Sequence, residues 1–65
     1  MKEIATIKFE DADSSSEAVV VVRQGADYIG LALSILDERD IEVFMRDSDT
    51  KRLSDALTKA LEQMT

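Results

Sequence analysis

Tyr28-Ile29-Gly30-Leu31-Ala32-Leu33-Ser34-Ile35-Leu36 is the stretch whose reading decides the fold. At a period of two, Ile29, Leu31, Leu33 and Ile35 face one way and Tyr28, Gly30, Ala32, Ser34 and Leu36 the other, as in a strand. At a period of 3.6, Ile29, Ala32, Leu33 and Leu36 share one side of a helix. The strand reading is preferred. Gly30 costs a helix interior about 1 kcal/mol relative to alanine, whereas close packing explains it in a sheet. The alternative keeps residues 27-38 helical and gives a ββαβα chain.

Downstream, Asp37-Glu38-Arg39-Asp40 is a polar turn, and residues 41-46 read as a strand with Ile41, Val43 and Met45 on one face and Glu42 and Phe44 on the other. Apolar residues must pair with apolar residues across this hairpin, because a one-residue slip turns every side chain to the wrong face. Ile35 opposite Ile41 meets the condition, with Leu33 against Val43 and Leu31 against Met45. The same register sets Ala32 against Phe44 and Ser34 against Glu42, with 37-39 as a three-residue loop.

Upstream, Gln24-Gly25-Ala26-Asp27 is a turn. Before it, four consecutive valines (Val19 to Val22) mark a strand, since β-branched side chains fit a pleated surface; an unbroken run asks for cover on both faces. Glu10 to Glu17 is polar and turn-forming. Residues 2-10 alternate, with Ala5, Ile7 and Phe9 on one face and Ile4, Thr6 and Lys8 on the other. The expected strands are 2-10, 17-23, 28-36 and 41-46.

The last segment changes period. Leu53, Ala56, Leu57, Ala60, Leu61 and Met64 form one apolar stripe, predicting a helix over 49-64. Ser48 or Asp49 can cap its free N–H groups, Asp47 and Asp49 suit its positive end, and Asp55 and Lys59 are spaced as an ion pair. The predicted fold is α+β: one small domain over 1-65, a four-stranded antiparallel β-meander with the C-terminal amphipathic helix packed on one face (ββββα). The core would be Ala5, Ile7, Phe9, alternate valines, Ile29, Leu31, Leu33, Ile35, Ile41, Val43, Met45 and the helix stripe.

Composition narrows the function. The 65 residues contain no Cys and no His, which removes disulfides, thiolate metal sites and the commonest general base. A chain this short buries only about 60% of its unfolded surface, so self-association would supplement the core. Fourteen acids against eight bases give a net charge of −6, opposing direct nucleic-acid binding and docking on anionic membranes. There is no apolar run of membrane-spanning length and no apolar stretch of signal-peptide type near Met1, so a cytoplasmic location is expected. No phosphate loop or nucleophile motif occurs, and none of the 65 residues is expected to be catalytic or to hold a cofactor. Counting from Asp11, the EF-hand pattern fails at Ser16 and Val22, so no metal site is expected.

Two interaction surfaces follow. The sheet face opposite the helix would present Ile4, Tyr28, Ala32 and Phe44, an apolar patch suited to a homodimer. The loops after the first and third strands would share one end of the meander. They would form an acidic pole of Glu10, Asp11, Asp13, Glu17, Asp37, Glu38 and Asp40, opposed only by Arg39. The preferred expectation is a small non-enzymatic, self-associating interaction module. The alternative is an acidic inhibitor or nucleic-acid mimic of a phage or mobile element, binding a basic protein partner through the 10-17 and 37-40 loops.

Overall fold

A computed structural model of the chain describes residues 1–36 and 40–64. Among these residues it forms strands β1 (Lys2–Glu10), β2 (Glu17–Gln24), β3 (Ile29–Ile35) and β4 (Asp40–Met45), followed by helix α1 (Asp47–Gln63). The strands make one open antiparallel sheet in the order β1-β2-β3-β4. The strand reading of the deciding stretch is borne out over Ile29–Ile35, which rules out the helical alternative there. Lying between β2 and β4, β3 satisfies its backbone groups on both edges. Gly30 is buried, and a Cβ on it would lie 2.8 Å from Met1 Cε and 3.4 Å from Phe44 Cε1.

The β3–β4 register differs from the expected one by two residues. Leu33 pairs with Ile41, Leu31 with Val43 and Ile29 with Met45; on the other face Gly30 pairs with Phe44, Ala32 with Glu42 and Ser34 with Asp40. A two-residue shift preserves parity, so the hydrophobic pattern alone cannot detect it. Steric fit favours the observed pairing, since the Phe44 ring lies opposite the residue that has no side chain. Toward β2, Ile35 pairs with Ala18 and the Leu36 N–H donates to the Glu17 carbonyl at 3.0 Å. A bulge between Glu3 and Ala5 shifts the β1–β2 register around Ile4.

The helix is not packed on a sheet face, contrary to expectation. Its contacts with the sheet centre on β4, and none of its residues is buried. Leu57, Leu61 and Met64 of its stripe remain 58%, 65% and 81% exposed. The cause is the connection. Arg46 alone separates β4 from α1 and is extended (φ −75°, ψ 165°). The Thr50 N–H and hydroxyl both donate to the Arg46 carbonyl, at 2.9 Å each. One residue held this way is shorter than the usual connection and leaves no slack to fold the helix back over the sheet.

Two smaller expectations about α1 also change. It starts at Asp47, with Arg46 in the capping position and no side-chain cap; the Asp47 carboxylate accepts from the Ser48 N–H instead, at 2.8 Å. Asp55 pairs with Lys51 at 3.3 Å, one turn earlier than the expected Lys59, and Arg52 lies 3.7 Å from Asp49.

The expected core is therefore open. Ala18, at 4% exposure, is the one buried hydrophobic residue among those described. The chain exposes 5461 Å², whereas a compact monomer of 7.2 kDa exposes about 4,100 Å². Its radius of gyration is 13.0 Å, against about 11 Å for a compact chain of this length. The extents, 35 × 31 × 16 Å, are those of a plate.

Candidate functional site

Alternation along each strand, combined with the observed pairing, puts an unbroken apolar surface on one side of the plate. Three cross-strand rows define it: Phe9-Ala18-Ile35, then Ile7-Val20-Leu33-Ile41, then Ala5-Val22-Leu31-Val43. None of these rows contains a charged side chain. The middle row is the most open, with Ile7, Leu33 and Ile41 at 52%, 44% and 59% exposure. A shallow depression of about 380 Å³ lies here, lined by Phe9, Ala18, Val20, Leu33 and Ile41 with Asp11 at its edge. The surface is contiguous across all four strands. Sequence reasoning assigned these residues to the core beneath the helix. The available signal against that was the shortness of the connection between the last strand and the helix.

The opposite face is mixed. Arg23 Nη1 donates to Glu42 Oε2 at 2.7 Å across β3, and the Thr6 hydroxyl donates to Glu3 Oε2 at 2.8 Å. Of the predicted interaction residues, Tyr28 and Phe44 come together edge to face, with ring centroids 5.4 Å apart and an interplanar angle of 89°. Tyr28 closes the β2–β3 turn, where its carbonyl accepts from the Gly25 N–H at 2.9 Å. Ala32 is half-buried beside Glu42, and Ile4 is exposed in the β1 bulge. The Arg23–Glu42 pair thus interrupts the patch that these four residues were expected to form.

The acidic residues divide between described and undescribed parts of the chain. Glu10, Asp11, Asp13 and Glu17 lie at the β1–β2 connection, and Asp40 opens β4 at the same end of the meander. Asp37, Glu38 and Arg39 lie outside the described residues. Glu10 and Glu17 are direct cross-strand partners. Asp11 organises its own loop: its carboxylate accepts from the Ser14 hydroxyl at 2.7 Å and the Ser14 N–H at 2.8 Å. Its carbonyl accepts from the N–H of Ser15, the one non-glycine residue with positive φ (63°) among those described. The Ser14 hydroxyl, followed by the Ser14 N–H, holds the Asp11 carboxyl below the ordinary aspartate value of 3.8.

Among the described residues no polar or charged side chain is buried, and no cluster of three or more His, Cys, Asp or Glu could hold a metal ion. No described helix is long and apolar enough to cross a membrane. The arrangement offers apolar contact area and a charged end rather than an enclosed pocket. Comparison with protein-family models, with curated proteins and with solved structures finds no match to this chain.

Proposed function

We propose that this chain is a small, non-enzymatic protein-interaction module that self-associates through its bare sheet face, with a homodimer as its working form. One observation carries the reading: the three rows are wholly apolar, and Ile7, Phe9, Leu33, Ile41 and Val43 within them are about half exposed. A face of this kind in a chain with one buried hydrophobic residue among those described favours a structure completed by a partner. The contact surface so proposed is not the Ile4, Tyr28, Ala32 and Phe44 side, which carries the Arg23–Glu42 pair, but the side whose three central rows hold no charged side chain. A cytoplasmic setting belongs to the same proposal, supported by a sequence without cysteine.

Sedimentation equilibrium of the full chain from low to high micromolar concentration tests the reading. A species of twice the 7.2 kDa chain mass is expected; a clean monomer at high micromolar concentration overturns it. One observation favours a second reading, an acidic inhibitor that captures a basic partner. Glu10 faces Glu17 directly across two strands, a like-charge pair that destabilises a sheet and adds charge to the acidic end. Capture by that end weakens steeply with salt, while apolar association hardly responds. Reversing Asp37, Glu38 and Asp40 to Lys should abolish it; unchanged capture sinks this second reading.

A further inference from the structure

We propose that the element covering the apolar face is helix α1 of a second copy, so that two chains exchange helices reciprocally. This rests on the self-association reading and specifies its interface. Four observations carry it. The chain holds two bare apolar surfaces, the sheet rows and the helix stripe, and the one-residue connection at Arg46 keeps the second from covering the first within the same chain. The two match in length: Leu53 to Met64 spans about 17 Å of helix, and Phe9 to Ala5 spans about 14 Å of strand.

They also match in chemistry. The Lys51–Asp55 ion pair lies on the side of α1 away from the stripe, and the three rows the stripe would meet carry no charged side chain; Asp11 and Lys2 stand only at their margins. Finally, the area is sufficient. The exposed surface exceeds that of a compact monomer by about 1,300 Å², whereas a standard interface needs about 800 Å² from each partner. A sheet-on-sheet dimer would cover the rows and leave Leu57, Leu61 and Met64 open. Reciprocal exchange covers both surfaces in both copies and closes under a two-fold axis.

The sequence has no cysteine, so cysteines can be placed at will. The full chain carrying Leu61→Cys and Leu33→Cys, treated with a short bis-maleimide, should run as a cross-linked dimer on a denaturing gel. A cross-link within single chains means that the helix folds over its own sheet, and this overturns the exchange. The unmodified chain provides a second test free of any folding defect. In a mixture of isotope-labelled and unlabelled copies, filtered NOEs should join α1 leucine methyls of one copy to Ile7 and Ile41 methyls of the other. A dimer by sedimentation without those NOEs overturns helix exchange and leaves self-association standing; a monomer by sedimentation overturns both.

Discussion

Leu57 sits in the middle of the α1 stripe, and replacing it with alanine separates the single chain from the exchanged dimer by the sign of the effect. In one chain the side chain is 58% exposed. Alanine there loses little packing and is the better helix former, so the helix of the isolated chain should be unchanged or slightly firmer. In the dimer the exposed share becomes buried. Full burial of a leucine side chain is worth about 1.5–3 kcal/mol, so 58% of it is worth about 0.9–1.7 kcal/mol. Alanine keeps its Cβ, which trims the loss to about 0.7–1.3 kcal/mol per copy. Two-fold symmetry doubles it, and the dissociation constant should rise about 10- to 70-fold. Sedimentation equilibrium reads the constant directly, and thermal unfolding at several concentrations reads it through mass action. A Leu57→Ala chain that associates as tightly as the parent refutes the reasoning.

Three further outcomes are expected. Glu42→Gln removes the carboxylate that receives Arg23 at 2.7 Å. Both partners are about one-third exposed, so the cost should be about 0.5–1 kcal/mol by chemical denaturation and should shrink at high salt. Gly30→Ala requires only that the Met1 methyl retreat from 2.8 Å and should cost less than about 0.5 kcal/mol. Gly30→Leu, which must displace the Phe44 ring, should cost about 1–3 kcal/mol and disturb the Tyr28 ring signals in the NMR spectrum. The third outcome concerns pH. The folded-state value of Asp11 is depressed, so its contribution to stability is present above 3.8 and is lost as pH falls through the lowered value. Ser14→Ala should bring the Asp11 carboxyl midpoint up toward 3.8, read by carbon-detected NMR titration; an unmoved midpoint would show that the Ser14 hydroxyl is not the cause.

Much of the local structure was legible because it depends on neighbours in the chain. Period-two alternation through Ile29, Leu31, Leu33 and Ile35 assigned both the strand and its faces, since successive side chains of a strand must point to opposite sides. The switch to a 3.6 period after Asp47 announced the helix for the same kind of reason. The candidate site was half legible. Parity grouped Ile7, Leu33 and Ile41 correctly as one surface, but it labelled that surface as core. The acidic end was legible as a composition, while the hydrogen bonds from Ser14 that lower the Asp11 carboxyl depend on a loop conformation that no periodicity encodes.

The sequence by itself determined the order ββββα, the division of each strand into faces and the position of the helix stripe. Tertiary structure decided the rest. A register two residues away has the same parity, so steric fit between Gly30 and Phe44 had to choose it. A stripe states which side of a helix is apolar, not which surface it will cover. The single extended residue Arg46 sends α1 away from its own sheet. Chain connectivity, not hydrophobicity, therefore leaves both apolar surfaces open.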